Sequence, residues 1–330
     1  MSLDRPGEFE TIHRLFRPLA ANDPAARDLA DDCAVLPIRQ GFDLVVTKDM
    51  LVEGVHFLPE DPKDLVARKA LRVNLSDLAA KGAEPFGYFL AVAWTQRSDW
   101  DDRAAFARGL KEDQALFGVH LLGGDTIVTP GPFSVSITAM GWVAHGKAPP
   151  RSGARVGDVI VVSGSIGDGW LGLQACQERL HGLEEARLEA LKRRYRLPEP
   201  RLDLGKAIRE HATASVDISD GLVADLAHIA AASGVGLELE LDKIPLSGAA
   251  KAWLAQRADE LSARLDMATG GDDYEVAVAV PQAQAAAYIA AGAKIGLPAV
   301  QVGRVVSGQG VRVTYAGETV PVPQAGWTHD

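Results

Sequence analysis

Two spacings of hydrophobic residues alternate along the chain. Short runs of apolar and β-branched residues predict strands, and apolar residues three or four positions apart predict helices. The clearest helical stripe is Leu65, Leu71, Leu75 and Leu78, in a helix predicted over residues 64–81 that Gly82 ends. The other predicted helices cover residues 9–19, 101–117, 167–180, 184–195, 202–211 and 220–233. The predicted strands cover residues 34–38, 44–47, 88–94, 121–124, 133–143, 159–163, 214–218, 237–241, 275–280, 301–306 and 311–315.

The alternation of strands with helices predicts an α/β chain, or an α+β chain with mixed sheets. A length of 330 residues suggests two domains. The polar, Pro/Gly-rich segment PPRSGARVG at residues 149–157 is the expected boundary between them. We therefore predict an N-terminal domain over residues 1–148 and a C-terminal α/β domain over residues 149–330.

The charge balance excludes some classes of function. The chain has 34 Lys and Arg against 44 Asp and Glu, a formal net charge of −10. This argues against binding to nucleic acid or to an anionic membrane. The first residues lack the apolar segment of a signal peptide, and no apolar run is long enough for a membrane helix, so we expect a cytoplasmic protein.

The two cysteines, Cys33 and Cys176, form no CxxC pair. This makes a disulfide framework or a cysteine-based zinc site improbable. Because Cys33 leads into the predicted strand at residues 34–38, we expect it to be buried.

Aspartates are concentrated near predicted strand ends: Asp31 and Asp32, Asp49, Asp125, Asp217, Asp220, Asp272 and Asp273. Each has a structural explanation when taken alone, such as a helix N-cap at Asp220 or a turn residue after a glycine pair. Asp77 is different, because it lies mid-helix on the same flank as Asn74. An ion pair with Lys81 would be its structural explanation.

Taken together, these carboxylates predict a shared site. Loops at the carboxyl ends of strands meet at one edge of an α/β sheet, where ligands usually bind. Oxygen ligands without thiolate or imidazole partners suit Mg²⁺, which commonly bridges to substrate phosphates. The expected chemistry is therefore Mg²⁺-dependent handling of phosphate.

The common nucleotide and hydrolase motifs are absent from the sequence. It contains no GxxxxGK[ST] loop, no kinase HRD or DFG set, no HExxH and no GxSxG. The glycine-rich SGSIGDG at residues 163–169 could bind an anion through backbone N–H groups, or it could be a structural turn.

Nine segments occur in a fixed order: GEFETIHRL, DDCAVL, TKDMLVEGVHF, KALRVNLSDLAAKGAEP, LLGGDT, RSGARVGD, VSGSIGDG, SVDISDGLVADLAHIA and TGGDDYE. Together they resemble the thiamine-monophosphate kinase family, which belongs with aminoimidazole ribonucleotide synthetase and selenophosphate synthetase. The resemblance implies a two-domain PurM-like fold. In that fold an ATP- and Mg-binding N-terminal domain pairs its mixed sheet across a homodimer, and an α/β domain follows.

The resemblance also implies an activity and a set of site residues. The ATP γ-phosphoryl group would pass to thiamine monophosphate with several Mg²⁺ ions and no phospho-enzyme. Because the acceptor phosphate is already largely ionised at neutral pH, we assign no general base. The implied Mg²⁺ ligands are Asp32, Thr47, Asp49, Asp77, Asp125, Asp217 and Asp220. The implied ATP contacts are Gly124, Asp125, Arg151 and Ser219. The implied thiamine phosphate contacts are His56, Asp272 and Trp327, although His56 could be structural and Trp327 could simply pack at the C-terminus.

The sequence departs from the family pattern at three places. Leu29 and Ala30 stand where many members have the glycines of a GxGDD loop, and Asp272 stands where many have Glu. Lys48 stands where many have Thr or Ser. Our hypothesis is that the Lys48 ammonium replaces one positive charge at the phosphates.

Two other functions stay open at this point. One is a sister activity of the same superfamily, such as that of aminoimidazole ribonucleotide synthetase. The other is an inactive nucleotide-binding subunit, which the missing glycines and Lys48 would favour. Formation of thiamine diphosphate separates the main hypothesis from both.

Overall fold

The computed structural model describes residues 7–21 and 23–327. The start of the chain, from which the absence of a signal peptide is inferred, and the last three residues of the GWTHD tail lie outside this part. The described residues form two compact units. The first comprises residues up to Leu78 and Ala83–Gly146, and the second comprises Ala79–Gly82 and the residues from Lys147 onward.

A four-stranded mixed sheet is the framework of the first unit. Its strands are β1 (Phe42–Val52), β2 (Glu84–Thr95), β3 (His120–Thr129) and β4 (Ser134–Ala144), in the order β1-β4-β2-β3. The helices are α1 (Glu8–Thr11), α2 (Arg17–Ala20), α3 (Lys63–Ala80) and α4 (Trp100–Phe117). A π-helical stretch, Ile12–Phe16, links α1 to α2, and a 3₁₀ stretch, Pro24–Leu29, follows. Strands β2 and β3 are parallel, and the other pairs are antiparallel.

Buried aromatic rings and one buried ion pair hold α4 in the first unit. Trp94 stacks on Phe133 at 5.1 Å, and Phe106 meets both rings edge-on. The carboxylate of Asp113 on α4 is fully buried and accepts two hydrogen bonds from Arg72 of α3, at 2.6 and 2.9 Å. A buried charge needs such a partner, so this pair fixes α3 against α4.

A seven-stranded mixed sheet is the framework of the second unit. Its strands are β5 (Asp158–Ser163), β6 (Ala214–Ile218), β7 (Gly236–Glu240), β8 (Glu275–Pro281), β9 (Ala299–Val306), β10 (Gly310–Tyr315) and β11 (Glu318–Val320), in the order β11-β10-β7-β9-β5-β8-β6. Its helices are α5 (Asp168–Cys176), α6 (Glu185–Arg196), α7 (Gly205–His211), α8 (Leu222–Ser233), α9 (Gly248–Leu254), α10 (Glu260–Thr269) and α11 (Ala285–Lys294).

Both faces of this second sheet are covered. On β5, Ile160 and Val162 belong to one buried cluster, whereas Val159 and Val161 belong to another. Strands buried on both faces read as continuous apolar runs, which explains why β5 and β8 lack polar alternation.

The mixed α/β class is confirmed, and the predicted helix at residues 64–81 matches α3. The predicted strand at residues 34–38 is wrong, because these residues form an irregular segment, and Cys33 is exposed rather than buried. Strands β1 and β3 run beyond their predicted ends, so Asp49 and Asp125 lie within strands and not in the loops after them. The sequence reading also missed α9, α10 and α11.

Among the described residues, every helix is too short or too polar to cross a membrane.

Candidate active site

Two polar contacts join β1 to α3 in the first unit. Thr47 Oγ1 donates a hydrogen bond to Asp77 Oδ2. The backbone N–H of Asp49 donates to Asn74 Oδ1 at 3.0 Å. The shared flank expected for Asn74 and Asp77 is therefore confirmed, because both side chains meet β1. The possible Asp77–Lys81 pair is replaced by other partners, since Lys81 Nζ donates to the carbonyls of Pro149 and Ser215.

Lys48 lies on the other face of β1. Successive strand residues point to opposite faces, so Lys48 is directed away from its neighbours Thr47 and Asp49. Its Nζ donates to Ser136 Oγ of β4 at 2.6 Å. The pairing of β1, β4, β2 and β3 puts Asp125 on this same face, in one row with Ser136. The Lys48 ammonium therefore shares a sheet face with Asp125 but not with Thr47 and Asp77.

A cavity of about 400 Å³ lies beside β3. Asp32, Cys33, Gly124 and Asp125 contribute to its polar part. The rest of its wall is mostly apolar and includes Ile12, Phe16, Ala26, Leu29, Phe89, Leu90, Leu121 and Leu122. Carboxylates and apolar side chains thus both line this cavity, as in sites that bind small organic molecules.

The loop that contributes Leu29 to this cavity has an unusual backbone. Arg27, Asp28 and Leu29 have φ values of 48°, 59° and 52°, in the left-handed region that favours glycine. An ion pair between Arg27 and Asp31 crosses the loop, and its hydrogen bond lowers the pKa of Asp31 below the usual value. Glycine adopts such a conformation without strain, whereas each of these three residues has a Cβ.

The predicted ligands of the first unit fall into two groups. Thr47, Asp49 and Asp77 lie at β1, and Asp32 and Asp125 lie at β3. Strands β1 and β3 are the two edges of the sheet, three strand spacings or roughly 14 Å apart. Asp49 and Asp125 lie within these strands and not in the loops at their carboxyl ends, and a site shared by all the predicted ligands stays a prediction.

His56 is held in a turn after β1. Its Nδ1 accepts a hydrogen bond from the Val52 N–H at 3.1 Å, and Lys69 Nζ donates to its carbonyl at 3.1 Å. An acceptor role for Nδ1 puts the proton of the neutral ring on Nε2. The ring is half-buried, and the hydrogen bond that Nδ1 accepts defines its orientation.

In the second unit, three predicted contacts come together around residues 218–221: Ser219 for ATP, and Asp272 and Trp327 for thiamine phosphate. The Asp272 N–H donates to the Ser219 carbonyl at 2.8 Å, and the Trp327 N–H donates to the Asp220 carbonyl at 2.9 Å. This hydrogen bond holds the backbone of Trp327. The residue is 54% exposed, so much of its ring faces solvent. Asp217 is buried at the end of β6.

Arg151 makes its hydrogen bond outside this loop. Its carbonyl accepts from Ser233 Oγ at 3.1 Å, near the end of α8, and its side chain is exposed.

The GGDDYE motif contains one half-buried and two buried carboxylates. Asp272 has a φ of 64° and is half-buried. The next residue, Asp273, is buried and accepts hydrogen bonds from the N–H groups of Gly167 and Gly169 at 2.9–3.0 Å. Burial raises its pKa well above the ordinary value. The segment SGSIGDG is therefore a structural turn at these two N–H groups, since they donate to a carboxylate of the chain itself.

Glu275, the last residue of the motif, is fully buried. It accepts hydrogen bonds from Ser163 Oγ at 2.7 Å, from Arg194 at 3.1 Å and from Arg201. This network ties β5 and β8 to the segment after α6.

Asp225 was missed by the sequence reading. It occupies the apolar stripe of α8 with Leu222, Leu226 and Ile229, a position where a charged residue requires partners. That placement was the available signal. Burial, and then the charge of Asp220, raise the pKa of Asp225 to about 7. The hydrogen bonds that Asp225 accepts from three backbone N–H groups lower this pKa but do not cancel the rise.

The predicted metal ligands suit Mg²⁺ by their chemistry. All seven offer oxygen atoms, and at β1 the Thr47 hydroxyl already touches the Asp77 carboxylate. Asp32 and Asp125 are both exposed at the β3 cavity. Hard oxygen donors of this kind prefer Mg²⁺ to softer metals.

Two family models match the chain in succession. The N-terminal domain of AIR synthase related proteins matches residues 30–143, and the C-terminal domain of the same family matches residues 155–316. The chain is 52% identical over 324 residues to the thiamine-monophosphate kinase of Caulobacter vibrioides, covering 98% of this chain and 91% of that protein.

Solved structures show the same likeness. The crystal structure of thiamine-monophosphate kinase from Stenotrophomonas maltophilia is 40% identical with a TM-score of 0.79, covering 88% of this chain and 91% of that one. AaThiL complexed with AMPPCP and TMP is 30% identical with a TM-score of 0.77, covering 100% of this chain and 99% of that one. These likenesses agree with the PurM-like two-domain fold expected from the sequence.

Proposed function

The chain belongs to the thiamine-monophosphate kinase family, and on that premise we propose that it transfers the γ-phosphoryl group of ATP to the phosphate of thiamine monophosphate, giving thiamine diphosphate. The observation that carries this proposal is the full-length likeness to AaThiL, which was solved with AMPPCP and TMP.

The chemical problem in this reaction is repulsion between two anions. The acceptor phosphate is already largely ionised at neutral pH, so it needs orientation and charge neutralisation more than a base. The predicted holders of Mg²⁺ are Asp32, Thr47, Asp49, Asp77, Asp125, Asp217 and Asp220. Bound Mg²⁺ supplies the positive charge that offsets this repulsion. Arg151, with its exposed guanidinium, is proposed to bind ATP phosphate.

Three residues are proposed to orient the acceptor. Trp327 presents an exposed ring that suits the cationic thiazolium through a cation–π contact. His56 has a defined ring orientation, which favours a directed hydrogen bond from Nε2. Asp272 is held at the Ser219 carbonyl, so it is positioned relative to the proposed ATP contact.

A homodimer is part of this proposal. The β1–β4–β2–β3 sheet leaves Leu44, Val46, Met50 and Ile127 between 43% and 56% exposed on the face that carries Lys48 and Asp125. An exposed apolar patch of this kind is typical of an interaction surface. The separation of Thr47 and Asp77 from Asp32 and Asp125 also favours a site that a second copy completes. Light scattering after gel filtration should give twice the monomer mass, and a monomer at micromolar concentration would overturn this part. The cytoplasmic location stays a prediction.

The activity is tested by incubating the protein with ATP, MgCl₂ and thiamine monophosphate and resolving the thiamine esters by chromatography. We expect thiamine diphosphate to form only when ATP and Mg²⁺ are both present. ATP binding without this product would favour the inactive-subunit alternative. ATP consumption without phosphorylation of thiamine monophosphate would favour the sister activity.

A further inference from the structure

The carboxylate of Asp225 binds three consecutive backbone N–H groups. Its Oδ2 accepts hydrogen bonds from Ser219 at 3.0 Å, Asp220 at 3.1 Å and Gly221 at 3.2 Å. The side chain is 2% exposed. These N–H groups lie in the turn that leads into α8, and that of Gly221, the N-cap, is one that the helix itself leaves without a partner.

The carbonyls of the same segment accept from other elements. Ile218 accepts from the Tyr274 N–H at 2.7 Å. As described above, Ser219 and Asp220 accept from Asp272 and Trp327. The next carbonyl, at Gly221, accepts from the Asp225 N–H at 2.9 Å. The backbone of residues 218–221 is thus bonded on one side to Asp225 and on the other side to the two segments that present Asp272 and Trp327.

Close packing reinforces both junctions. A Cβ on Gly271, which has a φ of 73°, would lie 2.5 Å from the Ser219 carbonyl oxygen. A Cβ on Gly326 would lie 2.6 Å from the Asp220 carbonyl oxygen and 2.5 Å from Ala224 Cβ. Contacts below 3 Å require a shift of backbone, so only glycine permits these approaches.

We propose that Asp225 is a positioning residue that organises residues 218–221 as one scaffold for the acceptor contacts and the predicted Mg²⁺ and ATP contacts. The proposal rests on the proposed function for the roles of Ser219, Asp220, Asp272 and Trp327. Asp225 acts on all four through backbone geometry and touches neither substrate. Its loss should therefore weaken both halves of the site together.

A direct metal-ligand role is the competing explanation. Side-chain ligand atoms of Asp220, Asp225 and His228 lie within 4.8 Å of one another. However, Oδ2 of Asp225 already accepts three N–H groups, and the residue is buried whereas His228 is exposed. The two explanations differ for Asp225→Asn. An amide oxygen still accepts N–H groups, but it is a poor substitute for a carboxylate on Mg²⁺.

Amide hydrogen exchange tests the scaffold without relying on catalysis. We compare the full-length wild type, Asp225→Ala, Asp225→Asn and the control Asp99→Ala, which removes a carboxylate that caps α4 by accepting the Asp102 N–H. In Asp225→Ala, the amides of residues 219–221, 272 and 327 should exchange at least about tenfold faster. Asp225→Asn should stay within about threefold of wild type, and Asp99→Ala should leave these amides unchanged.

Calorimetric binding of thiamine monophosphate in the presence of EDTA gives the second readout. Asp225→Ala should raise the Kd about tenfold, and Asp225→Asn about threefold or less. Unchanged exchange at these amides in Asp225→Ala would overturn the proposal. So would unchanged binding in EDTA combined with a raised Mg²⁺ requirement in both variants, which is the result expected of a metal ligand.

Two further outcomes are covered by this design. If Asp225→Ala does not fold, Asp225→Asn decides: exchange that is tenfold faster there, in a folded protein, would overturn the acceptor role. If the wild type forms no thiamine diphosphate, the proposed function fails, while the exchange at residues 219–221 still supports or refutes Asp225 as the organiser of this segment.

Discussion

Thr47 Oγ1 donates a hydrogen bond to Asp77 Oδ2, thirty positions later in the chain, and so joins the edge strand β1 to the helix α3. An amide at position 77 can still accept this bond, but it cannot supply a negative charge to Mg²⁺. Asp77→Asn should therefore fold normally and lower kcat at least about 100-fold, as expected when charge stabilisation is removed.

The control for this variant is Asp64→Asn in the first turn of the same helix. It should keep wild-type kcat. Steady-state kinetics and circular dichroism measure both variants, and wild-type-like kcat in folded Asp77→Asn would refute the assignment of Asp77 to the metal site.

The Arg72–Asp113 pair predicts a stability effect. Asp113→Ala leaves the Arg72 guanidinium buried without its carboxylate, which should cost about 3–5 kcal/mol in the free energy of unfolding. Glu112→Ala is the matched control, because Glu112 is 58% exposed and pairs with Arg68 at the surface, where a salt bridge contributes about 1 kcal/mol or less. Urea unfolding followed by tryptophan fluorescence compares the two, and equal losses would show that burial of Asp113 does not matter.

Gly326 predicts an effect on acceptor binding. Gly326→Ala would force the tail away from the Asp220 carbonyl and move Trp327, because the new Cβ would clash with backbone. We expect the KM for thiamine monophosphate to rise about tenfold, the loss of one well-formed contact, with a smaller change for ATP. Gly248→Ala, where nothing lies within 4 Å of the new Cβ, should leave both constants unchanged. Equal KM values for thiamine monophosphate in the two variants would show that the tail does not take part in acceptor binding.

The Asp43–His145 pair predicts a local pH dependence. The hydrogen bond from His145 Nδ1 to Asp43, 2.7 Å long, raises the pKa of His145 above its usual 6.5. The folded state thus favours the protonated ring, so the contribution of this pair is complete below the unfolded pKa and is lost as pH rises through the raised one. In an NMR titration, Asp43→Asn should return His145 to its usual pKa. An identical titration curve in the variant would mean that Asp43 is not the cause.

Periodicity predicted most of the regular elements but not the position of the aspartates within them. Asp49 and Asp125 follow apolar runs, which resembles a strand end in one dimension. The strands continue past both residues because pairing with β4 and β2 satisfies their backbone, and pairing partners cannot be read from local spacing. The same limit explains Cys33, whose flanking residues 34–38 are apolar but have no strand beside them.

The sequence motifs predicted residues that do lie together in the second unit. In the loop at residues 218–221, the carbonyls of Ser219 and Asp220 accept hydrogen bonds from the N–H groups of Asp272 and Trp327. The binding roles of these residues stay predictions. What holds that loop, Asp225, is visible in the sequence only as a charge on an apolar stripe. Its three N–H partners become apparent once α8 and the preceding turn are both in place.

The central claim is direct phosphoryl transfer, and a rapid-quench experiment with [γ-³²P]ATP, Mg²⁺ and thiamine monophosphate tests it most directly. The account predicts that label passes in a single turnover into the terminal phosphate of thiamine diphosphate while the precipitated protein stays unlabelled. Label on the protein that decays as product forms, or ATP hydrolysis without labelled thiamine diphosphate, would contradict it.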